Sequence, residues 1–387
     1  MKRKAAYNGD PRRVLIVGMT FEVGGRETFV MDLYRHLDRS KIQFDFLNND
    51  STRPLAFEDE IRALGGRIFT MPMAREAPLQ HFMALRRLFR DNSFAAVYYH
   101  ANNFIRNADV FRKAKEYGVP LRLLHSHNSA NWGDETLLQR MSQKYAAAQG
   151  KRCITHRLSC SQAAGEWMFG RDAGFRVVKN GVDTLKFDYS PELRNAVRAR
   201  EGVGRCVVYG TVGRVTDVKN SLFLVDIFSE IHARQPDSVF WHVGGGPREQ
   251  QMREKICALG LEDSYFLLGR QSRVADYLNG MDLFLLPSVF EGFPLTLVEA
   301  QDSGLHCLVS DCVTTDVNLT GNIRYLPLDR GAAQWAETAI EMASSAGSRC
   351  SCRELLIEKG YDSASTAQWF QALILSGGGS DQTEGTA

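Results

Sequence analysis

Short apolar runs rich in β-branched residues alternate with amphipathic helical segments along the first half of the chain. The run Val14–Val17 is followed by an amphipathic segment at 28–37 and by a second apolar run at 42–47. Strands that alternate with helices in this way are typical of a parallel sheet covered by helices on both faces. The same alternation predicts strands at 67–71, 95–99, 121–125 and 154–160, and helices at 55–64, 79–90, 105–117 and 135–149. We therefore expect one doubly wound α/β domain over residues 12–189.

The pattern starts again after a charged, glycine-containing stretch at 190–205, which we interpret as an interdomain linker. Beyond this stretch, the pattern predicts strands at 206–212, 239–243, 265–268, 283–286 and 307–310, and helices at 221–234, 248–259, 295–303 and 332–346. A second doubly wound domain over 206–362 is the simplest account. Sheets of this kind bind ligands at the carboxyl ends of their strands, so we expect a ligand cleft between the two domains.

The two ends of the chain are expected to lie outside these domains. Residues 1–11 form a basic tail, a helix at 363–375 is expected to cross back to the N-terminal domain, and 376–387 are expected to be disordered. Of the 387 residues, 44% are hydrophobic and 24% charged, which is typical of soluble globular chains. Because the sequence has neither a long apolar span nor a signal-peptide core, we expect a cytoplasmic protein.

A motif that can carry chemistry follows the predicted strand at 283–286. Residues 290–300 read FEGFPLTLVEA, which places a loop and the start of a helix directly after that strand. Pro294 suits the first helical turn, so the amides that follow it lack partners within the helix and can point at a phosphate. Glu291 in the loop and Glu299 in the second helical turn can both accept hydrogen bonds from sugar hydroxyls.

Further motifs occur in a fixed order along the chain. They are Gly24-Gly25-Arg26-Glu27, His125-Ser126-His127-Asn128, Asn180-Gly181-Val182-Asp183, Val212-Gly213-Arg214 with Lys219-Asn220, and Gly244-Gly245-Gly246-Pro247. Together with the 290–300 motif, this set resembles the motifs of glycosyltransferase family 4. The sequences of the motifs are most similar to those of family members that act in exopolysaccharide biosynthesis. The resemblance spans residues 12–375. It implies the GT-B fold, in which two Rossmann-like domains face each other across a cleft.

The same resemblance implies an activity and the residues that perform it. The expected enzyme is a hexosyltransferase (EC 2.4) that transfers a sugar from a nucleotide diphosphate sugar and retains the configuration at the anomeric carbon. The nucleotide that the family resemblance implies is a uridine nucleotide. The donor-binding residues would be Gly24, Gly25, Arg214, Lys219, Gly245, Gly292, Phe293, Pro294, Leu295, Thr296 and Glu299, and the catalytic residues His127 and Glu291. Which of His125 and His127 faces the cleft stays open, and a structural role is favoured for His100.

Arg214 and Lys219 are expected to neutralise the diphosphate leaving group, as a guanidinium fork and a point charge can do together. Metal-dependent sugar transferases hold a divalent cation with an Asp-x-Asp sequence, which this chain lacks. We therefore expect neither a metal nor a cofactor.

Charge is distributed unevenly along the chain. Residues 1–185 carry 29 Lys and Arg against 19 Asp and Glu, whereas residues 186–387 carry 18 against 26. A basic half fits an acidic acceptor or an anionic membrane surface. The basic amphipathic segment 79–90 either rests on anionic lipid or packs in the core. The expected partners are the nucleotide-sugar donor, a lipid-linked or oligosaccharide acceptor and the inner face of the cell membrane, with no nucleic acid.

Two other functions fit the same sequence. A sugar-nucleotide epimerase can share the architecture and needs no acceptor. A non-catalytic subunit that binds a sugar nucleotide or a lipid diphosphate would keep Arg214 and Lys219 but need neither His127 nor Glu291. A dehydrogenase is disfavoured because the loop at Gly24 is not a G-x-G-x-x-G sequence.

Overall fold

A computed structural model describes residues 10–101, 108–127, 152–345, 347 and 349–378. The helix expected at 135–149, the first nine residues of the basic tail and residues 379–387 of the C-terminal tail lie outside the described residues, as does Asn128. The chain divides into two compact units, which comprise residues 1–180 with 363–387 and residues 181–362.

The first unit is built on a sheet of seven parallel strands in the order β3-β2-β1-β4-β5-β6-β7. The strands are β1 (Arg12–Val17), β2 (Ile42–Asn48), β3 (Arg67–Thr70), β4 (Ala96–Ala101), β5 (Leu121–Ser126), β6 (His156–Ser159) and β7 (Arg176–Val177). The helices are α1 (Gly25–His36), α2 (Glu58–Ala63), α3 (Pro78–Asp91), α4 (Ala108–Glu116) and α5 (Gln162–Phe169). Residues Val14 and Ile16 pack into one apolar cluster and Leu15 and Val17 into another. The side chains of a strand alternate between faces, so this sheet is buried on both sides.

The second unit is built on a sheet of six parallel strands in the order β10-β9-β8-β11-β12-β13. The strands are β8 (Val207–Val212), β9 (Ser238–Val243), β10 (Tyr265–Gly269), β11 (Leu283–Leu286), β12 (His306–Ser310) and β13 (Ile323–Leu326). The helices are α6 (Pro191–Arg200), α7 (Ser221–Arg234), α8 (Glu249–Ala258), α9 (Val274–Gly280), α10 (Leu295–Asp302), α11 (Gly331–Ser345) and α12 (Arg353–Glu358), with short 3-10 turns at Thr315–Val317 and Leu328–Arg330. The side chains of strand β11 also pack into two apolar clusters, with Phe284 in one and Leu285 in the other.

The stretch 190–205 differs from the linker expected from the sequence, because it contains helix α6. Ser190 caps this helix by accepting a hydrogen bond from the Leu193 amide, and Pro191 occupies its first turn. Arg194 and Arg198 both donate to the carboxylate of Asp282, and Arg198 also donates to the carbonyl of Gly280. These arginines bind α6 to the loop before β11, so the charged stretch belongs to the second unit.

The last helix, α13 (Ser363–Ser376), belongs to the first unit. Phe370 stacks on Tyr98 with 5.0 Å between the ring centroids and meets Phe44 edge-on at 5.8 Å. The Arg12 guanidinium also donates to the carbonyl of Leu375 at 2.6 Å. The C-terminal segment therefore contributes to the apolar core of the first unit. Among the described residues, the helices are all too short or too polar to cross a membrane.

Candidate active site

Both sheets reverse their strand order at one point, between β1 and β4 in the first unit and between β8 and β11 in the second. In open parallel sheets, ligands bind beyond the carboxyl ends of the strands at such a point. Most of the site residues expected from the sequence follow one of these four strands or its neighbour.

The loop after β1 is closed by Glu27, whose residue is only 3% exposed. Its carboxylate accepts hydrogen bonds from the Thr20 amide at 3.1 Å and the Thr20 hydroxyl at 2.9 Å, and pairs with the Arg26 guanidinium at 2.6 Å. Gly24 and Gly25 remain exposed at the start of α1, where the first amides of a helix point outward. This end of α1 can therefore be approached closely by a phosphate or a sugar.

Three histidines form a cluster at the carboxyl ends of β4 and β5, which we call the histidine cluster (His100, His125 and His127). His100 Nδ1 lies 2.9 Å from His127 Nε2, and the His127 amide donates to the Ala101 carbonyl. His125 is fully buried, and its Nδ1 lies 2.8 Å from the hydroxyl of Tyr98. His127 keeps partial exposure. Of the two histidines in the motif, His127 is therefore the one accessible to a ligand.

Burial keeps all three imidazoles neutral at physiological pH. It lowers the pKa of His125 to about 3 and holds those of His100 and His127 well below their usual value. The Arg26 guanidinium lowers the pKa values of His100 and His127 further. A neutral imidazole offers one N–H donor and one acceptor, so the hydrogen bond between His100 and His127 fixes which nitrogen of His127 remains for a ligand.

The cluster is held in place by close packing. The ring centroid of Phe29 on α1 lies 5.2–5.8 Å from those of all three histidines. Gly18, which follows β1, has a φ of +102°, and a Cβ there would lie 2.1 Å from the His100 carbonyl oxygen. Only glycine permits this approach of the two strand ends.

One nitrogen from each histidine lies within 4.8 Å of the others, a spacing that resembles a metal site. His100 and His127, however, already use facing nitrogens to bind each other. We therefore interpret the cluster as a neutral hydrogen-bonding site.

In the second unit, Lys219 and Glu291 form an ion pair between the loops that follow β8 and β11. Glu291 also accepts a hydrogen bond from the hydroxyl of buried Ser288 at 3.1 Å. The backbone couples the same two loops, because the Val289 amide donates to the Val218 carbonyl at 2.8 Å. Among the described residues, the cation that pairs with Glu291 is thus Lys219, which is predicted from the sequence to bind a diphosphate.

Helix α10 begins beside this pair. Pro294 precedes its first turn without a side-chain cap, and the buried Thr296 hydroxyl has no hydrogen-bond partner among the described residues. Gly292 is exposed and Glu299 half-buried. Phe293 instead stacks on Tyr361 at 5.5 Å, so its ring serves packing and only its backbone is left for a ligand.

The glycine-rich turn after β9 packs against the loop that carries Arg214. A Cβ on Gly244 would lie 1.9 Å from the Gly213 carbonyl oxygen, and one on Gly246 would lie 2.4 Å from that of Val215. Gly245 packs less tightly, and its carbonyl accepts from the Val215 amide. The first and third glycines are thus required by the fold, and Arg214 is exposed on the neighbouring loop.

Four residues with a place in these sites were not singled out as functional from the sequence: Arg26, Glu27, His100 and Ser288. Glu27 is the acidic residue of the motif Gly24-Gly25-Arg26-Glu27, and its place in that motif is a signal that could have identified it. His100 had no sequence signal, because its contact with His127 depends on the pairing of β4 with β5.

Family models match most of the chain. The glycosyltransferase family 4 model matches residues 23–186, and the model for glycosyl transferases group 1 matches residues 206–345. EpsF of Bacillus subtilis (strain 168), named as a glycosyltransferase, is 33% identical over 92% of this chain and 94% of its own length. The chain therefore belongs to the family 4 glycosyltransferases, and its enzymatic class is EC 2.4.

One more relative and two solved structures are informative. The UDP-Gal:alpha-D-GlcNAc-diphosphoundecaprenol alpha-1,3-galactosyltransferase of Escherichia coli is 25% identical over 68% of each chain. A glycosyltransferase from Rickettsia africae has a TM-score of 0.74 at 14% identity, covering 96% of this chain and 100% of its own. Anabaena HepE, solved in complex with UDP-glucose, has a TM-score of 0.70 at 17% identity and covers 94% and 99%. These structures confirm the predicted GT-B fold with two Rossmann-like domains.

Proposed function

We propose that this enzyme transfers a sugar from a UDP-linked donor to a lipid-linked or saccharide acceptor in the synthesis of an extracellular or surface polysaccharide. The observation that carries the proposal is the Lys219–Glu291 pair at the strand-order reversal of the second unit. Supporting context comes from the Escherichia coli relative, whose name contains a UDP-galactose donor and a diphosphoundecaprenol acceptor, and from HepE, which was solved with UDP-glucose.

The ion pair suggests how donor binding prepares the site. A diphosphate carries more negative charge than one carboxylate, so it takes Lys219 from Glu291 when the donor binds. Glu291 is then released to accept hydrogen bonds from hydroxyls of the transferred sugar, while Ser288 keeps the carboxylate in position. Arg214 and the first amides of α10 complete the diphosphate site, and Glu299 accepts from the ribose.

As the glycosidic bond breaks, negative charge builds up on the leaving diphosphate. Lys219 and Arg214 stabilise that charge without a metal ion, since preorganised cations act on the transition state directly. Gly24 and Gly25 offer backbone amides to the donor from the first unit. His127, neutral and oriented by His100, donates or accepts one hydrogen bond at the reacting sugar. Configuration at the anomeric carbon is retained, as the family resemblance implies.

The donor part of the proposal is tested by calorimetric titration of the purified protein with UDP, GDP and ADP, each with and without EDTA. We expect UDP to bind most tightly, with the same affinity in EDTA. Binding of UDP that disappears in EDTA contradicts the metal-free site, and tighter binding of GDP or ADP contradicts the uridine assignment.

The proposed acceptor also implies where in the cell the enzyme works. A lipid-linked acceptor is confined to the membrane, so the enzyme works at the inner face of the cell membrane as a peripheral protein.

A further inference from the structure

Helix α3 (Pro78–Asp91) has apolar residues on two opposite faces. Its inner face carries Leu85, Leu88 and Phe89, which are buried in an apolar cluster of the first unit. Its outer face carries Leu79, Phe82 and Met83, which are 79%, 49% and 61% exposed. Since residues spaced by three and four positions share one face of a helix, these three side chains form one exposed apolar patch.

The same outer face becomes basic towards the end of the helix. Arg86, Arg87 and Arg90 are exposed and follow Leu79 by seven, eight and eleven positions, which continues the face. The face thus runs from apolar to cationic over about 16 Å of helix. We call it the outer face of α3, defined by Leu79, Phe82, Met83, Arg86, Arg87 and Arg90.

The neighbouring helix adds to this charge. Helix α4 packs along α3, and its Lys113 ammonium lies 4.6 Å from the centre of the Phe82 ring. Arg112 and Lys115 on α4 are exposed as well. Three acids lie on these two helices: Asp91 pairs with Arg90, Glu116 with Lys113, and Asp109 with His81. Cations therefore outnumber acids on this surface.

We propose that the outer face of α3 docks on an anionic lipid bilayer. Leu79, Phe82 and Met83 enter the boundary between headgroups and acyl chains, and the three arginines reach the lipid phosphates with their aliphatic stems lying along the apolar layer. The inference deepens the acceptor part of the proposed function, because it identifies the surface that brings the first unit to a lipid-linked substrate.

A bilayer fits this face better than a second copy of the chain. A stable protein interface buries about 800 Å² on each partner, with charged residues depleted at its centre. The apolar part of this face is three side chains, and arginines continue it directly. Two copies of the face would also oppose like charges, whereas anionic lipid neutralises them.

The test is co-sedimentation of the full chain with vesicles of phosphatidylcholine alone and of equimolar phosphatidylcholine and phosphatidylglycerol. We expect binding to the anionic vesicles that weakens as salt is raised, because the charges are exposed. The variant R86S/R87S/R90S should bind about a hundredfold more weakly, since each basic residue near an anionic surface contributes about fivefold. The variant L79S/F82S/M83S should also lose binding, and in both variants the fold is preserved because the replaced side chains are exposed.

Matched control variants test whether the effect depends on where the charges and apolar side chains are removed. The variant R234S/R253S/R273S removes the same charge from exposed sites in the second unit, and L185S removes a leucine that is 70% exposed there. Both should bind vesicles as the wild type does. UDP titration of every variant reports the donor site separately, so a failed donor site and a failed membrane face give different results.

Several results would overturn the proposal: equal binding to both kinds of vesicle, no binding of the wild type, or wild-type binding by the arginine variant. The same holds if sedimentation velocity shows a wild-type dimer that L79S/F82S/M83S abolishes while vesicle binding persists. In that case, a second copy occupies the face.

Discussion

His100 and His127 are joined by a hydrogen bond of 2.9 Å between Nδ1 of the first and Nε2 of the second. His100 is fully buried, and burial keeps the pKa of both rings well below the usual value, so the bond links two neutral imidazoles. One ring donates and the other accepts, which leaves Nδ1 of His127 as the ring nitrogen available to a ligand. His100 is therefore a positioning residue for His127 in the proposed reaction.

Replacing His100 should lower turnover without abolishing donor binding. In H100L, His127 loses the partner that fixes its orientation, and we expect kcat to fall about tenfold to a hundredfold while the affinity for UDP is unchanged. In H100N, the side-chain amide reaches the place of Nδ1 and should restore part of the lost turnover. Steady-state kinetics and UDP titration of both variants check this. Equal losses in H100L and H100N would indicate a purely structural role.

The Lys219–Glu291 pair predicts opposite effects of two substitutions on UDP binding. K219M removes a charged hydrogen bond to the diphosphate, so UDP should bind about tenfold to a hundredfold more weakly. E291Q removes the carboxylate that competes for Lys219, so UDP should bind at least as tightly as in the wild type, although sugar transfer falls. Calorimetric titration measures both affinities. K255M is the matched control, because Lys255 pairs with Asp226 on the same unit; weaker UDP binding in E291Q contradicts the exchange of partners.

Acid should destabilise the first unit through its histidine cluster. The folded-state pKa values lie below the unfolded value of about 6.5, so as pH falls below 6.5 the unfolded chain binds protons that the folded unit does not. Each histidine then lowers the free energy of unfolding by up to about 1.4 kcal/mol per pH unit. Amide hydrogen exchange of β4 and β5 at pH 6.5 and 5 measures this. Unchanged protection, after correction for intrinsic exchange rates, would contradict the neutral cluster.

In the second unit, Asp302 should make the free energy of unfolding fall as pH rises. Burial, reinforced by the nearby Asp188 carboxylate, raises the pKa of Asp302 to about 8, so the folded unit holds a proton that the unfolded chain releases above about pH 4. Stability is therefore lost as pH rises towards 8. The variant D302N removes this loss and should gain stability over the wild type as pH rises from 5 to 8, by up to about 1.4 kcal/mol per pH unit. Urea unfolding checks this, with the exposed-site variant D263N as control; a pH-independent difference would refute it.

The sequence predicted the regular parts of the fold well, because apolar periodicity reports burial. Helix α7 at 221–234 and strand β11 at 283–286 match their predicted bounds. The stretch that contains helix α6 was expected to be a linker because it is charged and contains glycine. In the structure, Arg198 of this helix contacts the carbonyl of Gly280 and the carboxylate of Asp282. The apolar periodicity of a sequence cannot predict a contact between residues more than 80 positions apart, such as that of Arg198 with Gly280.

In the candidate site too, contacts between residues far apart in the sequence could not be predicted. Motifs identified Lys219, Glu291 and His127 individually, because each follows a strand of a doubly wound sheet. The pairing of Lys219 with Glu291, and of His100 with His127, depends on which strands are neighbours in the sheet. Strand order is a property of the tertiary structure, so these two relationships could be found only there.

Under the proposed function, the chain transfers sugar from a UDP-linked donor through Glu291 and His127. The most direct test is the transfer of labelled sugar from UDP-glucose or UDP-galactose to a lipid-linked diphosphate saccharide, in EDTA, by wild type, E291A, H127A and the control K255M. We expect a labelled lipid product from the wild type and K255M, and rates reduced at least about a hundredfold in E291A and H127A. Wild-type rates in both E291A and H127A, or transfer that requires a divalent metal, would contradict it.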